Sequence, residues 1–242
     1  MALKQVDPYL HVSQIYQHIM NFVDYKWWAQ YIYVITKSKP KKKIAVLELA
    51  AGNCSFAAYL SKKYPDYIVT DISFSMLKTA SIKKDKVCCS MTAIPFKKKF
   101  DLILAAFDSV NYIFNKSKLQ KLFDEVAYSL SENGIFTFDA VLESNSYKHQ
   151  KNMPVNGKTK SFSYKQNSIY MPKSKIHKNI FRITYPDGKL YTETHRQKIY
   201  EFNTYFELAE KSGLYVVTCL KAFTFNKGKA NSDRVQFIMK RI

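Results

Sequence analysis

A chain of 242 residues, 47% hydrophobic and 15% aromatic, is long enough to bury a sizeable core and too apolar to stay disordered. No apolar run approaches the roughly 20 residues that a bilayer-spanning helix needs, and Met1 to Pro8 lack the apolar centre of a secretion signal. The formal charge of +19 admits a nucleic acid as partner.

In chain order, residues 9 to 37 are rich in aromatics and carry apolar residues at helical spacing, which predicts two helices. An exposed, lysine-rich loop around Ser38 to Lys43 leads into a short apolar strand at 44–49. A small-residue turn from Ala50 to Ser55 follows, then a helix at 54–63 and a strand at 67–71 that ends in Asp71. Ser73 is a good N-cap for a helix at 73–83. Short strands are expected at Lys86–Cys89 and Phe100–Phe107. An amphipathic helix at 116–130 stops at Asn133-Gly134, and a strand at Ile135–Phe138 is closed by Asp139.

Beyond Val141 the pattern changes. Residues 144 to 160 read as a mobile polar connection, and 161–170, 177–185 and 189–200 alternate like antiparallel strands. The last two are joined by a turn at Pro186-Asp187-Gly188. A helix at 203–212 ends at Gly213, and strands Leu214–Phe223 and Arg234–Met239 close the chain as a hairpin.

The stretch from Val46 to Asp71 carries the chemistry. A strand, a tight turn and a helix present backbone N–H groups to a ligand, and an acid at the end of the next strand can take both hydroxyls of a ribose. The turn, Ala50-Ala51-Gly52-Asn53-Cys54-Ser55, has one glycine where a dinucleotide site wants three. Glu48 just before it would repel a pyrophosphate but favour a sulfonium or an amino group.

These residues resemble the class I S-adenosylmethionine-dependent methyltransferases, whose first motif is close to Glu-x-x-x-Gly-x-Gly. The run Asp71-Ile72-Ser73-Phe74-Ser75-Met76-Leu77 to Ala80 is similar to that of members acting on small molecules. Ala50 and Cys54 stand where the family usually has glycine, and Ser90 where an acid usually reads adenine. The resemblance implies an α/β fold: a doubly wound, seven-stranded, mostly parallel, Rossmann-like sheet with an antiparallel β lid inserted after strand five. It divides the chain into a cofactor-binding half (1–143), a lid (144–200) and a closing helix and hairpin (201–242).

The implied cofactor is S-adenosylmethionine, held by Glu48, Ala50 and Gly52 at its amino-acid half and by Asp71 at the ribose. Met91, with Ser90, is expected at the adenine, Ile72, Met76 and Phe107 are further cofactor-binding residues, and Tyr16 and Tyr25 close over the cofactor. Asp108-Ser-x-Asn111-Tyr112 follows the fourth strand, so Asp108 is expected beside the reacting methyl and Asn111 and Tyr112 beside the acceptor. From the lid, His195 and Tyr200 are expected to take part in catalysis and Arg196 to contact the acceptor. A histidine on a strand is more often structural, and aromatics at helical spacing are more often core.

The expected activity is methyl transfer to a nitrogen or oxygen of a small-molecule acceptor in the cytoplasm, without a metal: Cys54, Cys88, Cys89 and Cys219 lack Cys-x-x-Cys spacing. One alternative is a cofactor-binding protein of the same fold with lost or weak catalysis, motivated by Ala50, Cys54 and Ser90. Another is an RNA methyltransferase, motivated by charge. Nucleic-acid readers favour arginine, whereas only Arg182, Arg196, Arg234 and Arg241 are arginines among 38 basic residues, so RNA is not the favoured partner. Nothing in the residues speaks to oligomeric state.

Overall fold

Alternation along the first strand, β1 (Ala45–Leu49), sends Leu47 and Leu49 to one side of a sheet and Val46 and Glu48 to the other. Both sides are covered, so the strand reads as a continuous apolar run. The computed structural model describes residues 9–37, 43–152 and 154–242. The expected loop at Ser38 to Lys43 thus falls, but for Lys43, outside the described residues.

Beside β1 lie β2 (Asp66–Asp71), β3 (Asp85–Cys88), β4 (Phe100–Ala105) and β5 (Leu130–Val141), all parallel. The antiparallel strands β10 (Leu214–Lys221) and β11 (Arg234–Arg241) complete the sheet, in the order β10-β11-β5-β4-β1-β2-β3. This is the seven-stranded, mostly parallel sheet expected. One face is packed by α5 (Lys116–Ser129) and α7 (Phe202–Lys211) around Phe123, Phe138, Tyr205 and Phe237. The other is packed by α2 (Tyr25–Thr36) and the single turn α3 (Ala57–Leu60) around Trp28, Phe56 and Val69. Asp24 caps α2 by accepting from the Trp27 amide, and Asn115 caps α5 by accepting from Lys118.

A second sheet stands apart, with four antiparallel strands in the order β6 (Val155–Lys158), β7 (Ser163–Met171), β8 (Ile176–Thr184) and β9 (Leu190–Lys198). Its register places Tyr170, His177 and Gln197 in one row across β7, β8 and β9. Ser168, Asn179 and His195 form the next row, and Gln166, Phe181 and Glu193 the one after. At its far end Tyr164 and Ile183 pack against α1 (Val12–Ile19) through Val12 and Ile15.

Four expectations need correction. The helix expected at 54–63 keeps regular geometry only over Ala57–Leu60, because Cys54 is left-handed. The helix expected at 73–83 is α4 (Phe74–Thr79), which ends where Ala80 turns extended. The connection at 144–160 is instead largely α6 (Glu143–Lys151) and β6; Glu143 accepts from the Tyr170 hydroxyl, and Ser144 donates to Asp233. Asn133-Gly134 does not stop α5 but lies inside β5, where the register with β4 shifts. A Cβ on Gly134 would sit 2.9 Å from the Phe100 carbonyl oxygen, so the close approach of β4 requires glycine there.

Candidate active site

The first loop leaves β1 through alternating left-handed residues: Ala50 (φ 52°), Gly52 (φ 57°) and Cys54 (φ 61°). Two non-glycine residues in this region mark a backbone held by its surroundings. Asp71, at the end of β2, does part of the holding. Its Oδ2 accepts from the Gly52 amide at 2.7 Å and its Oδ1 from the Ser73 amide at 2.8 Å, which ties the two turns together.

Glu48 pairs in register with Val69, two residues before Asp71, so both acids lie on the α2 side of the sheet. Glu48 is buried and accepts a 2.5 Å hydrogen bond from the Tyr67 hydroxyl. Burial pushes its carboxyl up to about 8; the Tyr67 bond opposes this, and the Asp71 charge adds to it.

At the end of β4 the chain turns sharply, with Phe107 (φ 59°) and Asp108 (φ 47°) both left-handed. Phe107 packs against Trp28 with ring centroids 4.0 Å apart, and against Tyr25 at 5.4 Å. Asp108 is held from every side. Its Oδ1 lies 2.6 Å from the Arg234 guanidinium, its Oδ2 accepts from Gln197, and its amide donates to Asp139. Arg234 also pairs with Asp139.

Between α1, α2, the β4 turn and the four-stranded sheet lies a cavity of about 440 Å³. The helices give it Tyr16, Trp27 and Trp28; the β4 turn gives Phe107, Asp108 and Tyr112. The lid gives Gln166, His177, Asn179, His195 and Gln197. Inside it the His195 ring packs on Tyr9 at 4.2 Å. His195 Nε2 is 2.7 Å from Glu193 Oε1, whose other oxygen accepts from the amides of His11 and Val12 at the start of α1. Burial works to raise the Glu193 carboxyl, but these hydrogen bonds outweigh it and hold the group below its usual value.

Residues 46–134 match the protein family described as Methyltransferase domain. A provisionally named methyltransferase of Geobacillus sp. (strain WCH70) is 25% identical over 93% of this chain and 96% of its own. Residues 46–134 carry a methyltransferase domain, and together these similarities support a class I S-adenosylmethionine-dependent methyltransferase. The crystal structure of such an enzyme from Clostridium acetobutylicum shares the fold, with a TM-score of 0.78 and 23% identity over 96% of this chain and 98% of that one. The sugar N-methyltransferase KedS8 from Streptoalloteichus has the same TM-score at 13% identity, over 100% and 99% of the two chains.

In this methyltransferase the expected site residues fall into three groups. Tyr16, Phe107, Asp108, Tyr112 and His195 share the cavity. Glu48, Gly52 and Asp71 cluster at the first loop instead, with Ala50 beside them and Met76 behind, where a Cβ on Gly52 would meet the Met76 Cε at 3.1 Å. Ser90 bonds Thr92 just past β3, Met91 is half-buried beside it, and Ile72 is exposed.

The third group lies elsewhere, and three expectations change. Tyr200 is buried in the core, with its hydroxyl donating to the Ile113 carbonyl at 2.8 Å. Asn111 is fully buried, bonding the backbone of Val141 and Lys198, so it staples the lid's return strand to the sheet. Arg196 is exposed, on the face of β9 opposite His195. Among the described residues no cluster of metal ligands exists, and no helix is long and apolar enough to cross a membrane.

Sequence reading missed Gln166, His177, Asn179 and Arg234. For the lid residues a signal exists: Gln166-x-Ser168-x-Tyr170 and His177-x-Asn179-x-Phe181 each put polar groups on one strand face. For Arg234 there is none, because its partners lie 126 and 95 positions earlier in the chain.

Proposed function

We propose that the enzyme moves a methyl group from S-adenosylmethionine to a nitrogen or oxygen of a small polar molecule held between the four-stranded lid and the β4 turn. The cavity carries this reading. Its 440 Å³ suits a compact acceptor, and its walls mix aromatic rings with amides, imidazoles and the paired Asp108 and Arg234.

The first loop fits the cofactor. Two carboxylates on one face, at the ends of neighbouring strands, suit a ligand with a cationic end and a diol end, and left-handed Gly52 lets backbone come close. In this proposal Glu48, Ala50 and Gly52 hold the amino-acid half and Asp71 the ribose. Ile72, Met76, Ser90 and Met91 surround the adenine, while Tyr16 and Tyr25 cover it. The cofactor supplies an activated methyl on a good leaving group. The chain's own task is alignment and exclusion of water. The Trp28–Phe107 contact walls off solvent, and Tyr112 and His195 face the acceptor. His195, oriented by Glu193, is placed to accept the proton that an attacking amine or hydroxyl sheds.

The similarity to KedS8, a sugar N-methyltransferase, supports a hydroxylated amine as acceptor. The high charge favours RNA as a second reading. Arg234, which lines the cavity, is already spent on Asp108 and Asp139.

The test is methyl transfer from labelled S-adenosylmethionine, with a panel of small amines and alcohols assayed beside transfer RNA and ribosomal RNA. Labelled small products confirm the proposal. Label in RNA alone, or tight cofactor binding with no transfer to any acceptor, overturns it.

A further inference from the structure

Next to the row that holds His195, the lid carries a second polar group with no assigned role. His177 on β8 is 4% exposed and lines the cavity, and its Nδ1 has no hydrogen-bond partner. A buried ring nitrogen left unpaired costs stability unless a ligand satisfies it. Asn179, two residues on and on the same strand face, lines the same cavity. Its Oδ1 accepts from Ser168 at 2.6 Å and Gln166 at 3.3 Å. Those bonds fix which way the amide points and leave its NH2 for the cavity. His149, from α6, faces His177 with ring centroids 6.3 Å apart.

We propose that His177 and Asn179 form a subsite for an uncharged, hydroxyl-bearing part of the acceptor. Burial, and then the neighbouring His149, lower the His177 pKa, so the ring is neutral and does not attract an anion. A neutral imidazole carries one acceptor nitrogen and one N–H donor. An acceptor beside an NH2 donor complements a hydroxyl, which gives one hydrogen bond and takes one. An ammonium group would want a free carboxylate, but Asp108 is engaged by Arg234 and Gln197. Aromatic side chains lining the same cavity, among them Trp27 and Trp28, suit the apolar faces of a hydroxylated ring.

This rests on the methyltransferase reading only for where the reacting end of the acceptor lies. The test uses the full chain loaded with S-adenosylhomocysteine and titrated with methyl glycosides of glucose, galactose, xylose and rhamnose. n-Butylamine and inorganic phosphate serve as controls, and nitrogen-detected NMR of the His177 ring is the readout. At least one glycoside should move the Nδ1 resonance, while the controls leave it alone. His177→Phe should weaken that glycoside at least tenfold with S-adenosylhomocysteine affinity unchanged, and His177→Gln should recover part of the loss. Undiminished glycoside binding by His177→Phe, a shift with phosphate or butylamine only, or no shift with any probe would overturn the subsite. Failure of S-adenosylhomocysteine to bind would instead count against the cofactor assignment, so the two outcomes are separable.

Discussion

The Glu193 carboxylate joins two parts of the enzyme: one oxygen lies 2.7 Å from His195 Nε2, and the other caps the start of α1 through the amides of His11 and Val12. The imidazole in the cavity is thus oriented by the group that docks the N-terminal helix onto the lid. Loss of such a cap costs about 1 kcal/mol. Glu193→Ala should therefore speed amide exchange in α1 roughly fivefold and cut turnover. Glu193→Gln keeps an acceptor for the amides and should retain most of that protection while turnover still falls. Equal exchange in α1 for wild type and Glu193→Ala would disprove the coupling.

The same carboxyl gives a pH dependence. Its value is depressed in the folded enzyme, so the stability it contributes is present above its unfolded value near 4.5 and is lost as pH falls through the lower folded value. Exchange in α1 should rise in acid before the sheet unfolds. In Glu193→Gln that early step should be missing.

Asp108 is better understood as a strut than as a base. Arg234 and Gln197 occupy its two oxygens, and Arg234 reaches Asp139 as well. Removing one member of a buried charged cluster leaves the others uncompensated, at a cost of about 3–5 kcal/mol. Arg234→Leu should lower the denaturation midpoint sharply, and Arg234→Lys should recover little, because an ammonium cannot bridge two carboxylates in fork geometry. Asp108→Asn should slow turnover without changing the shape of the pH–rate profile. A lost limb in that profile would restore Asp108 as a proton acceptor.

The first loop shows where sequence reading reached and where it stopped. Ala50 and Cys54 stood out as replacements for glycine, and the backbone keeps the left-handed conformation those glycines would allow. Strand periodicity revealed the two-sided sheet and the alternating lid strands, since burial enforces both patterns. Helix α6 was not legible: its apolar content is low, and tertiary bonds from Glu143 and Ser144 hold it. Tyr200 and Asn111 misled for a related reason. A polar side chain beside a turn looks the same in sequence whether it faces a ligand or a backbone carbonyl, and both of these face the backbone.

That loop conformation has a measurable price in stability. An L-residue in the left-handed region is disfavoured by about 1 kcal/mol. Ala50 is half-buried, so Ala50→Gly should raise stability by up to about 1 kcal/mol, less the entropy glycine adds to the unfolded chain. Cys54 is 1% exposed and packs among Trp28 and Phe56, so Cys54→Gly loses contacts and should be neutral or destabilising. Urea denaturation of the two variants should separate them; a destabilised Ala50→Gly would refute the assigned backbone strain.

Glu48 gives the sharpest link between electrostatics and function. Its folded value of about 8 lies above the ordinary 4.5, so folding takes up a proton between those limits, and the group's contribution to stability declines as pH rises through that window. A ligand that brings a sulfonium and an ammonium to this loop favours the ionised carboxylate. Binding of S-adenosylmethionine at pH 7 should therefore release a proton fraction approaching one, seen as a calorimetric enthalpy that changes with the ionisation enthalpy of the buffer. In Glu48→Gln the proton release at pH 7 should be missing. The same enthalpy in phosphate and Tris at pH 7 would place the cofactor's charge away from Glu48.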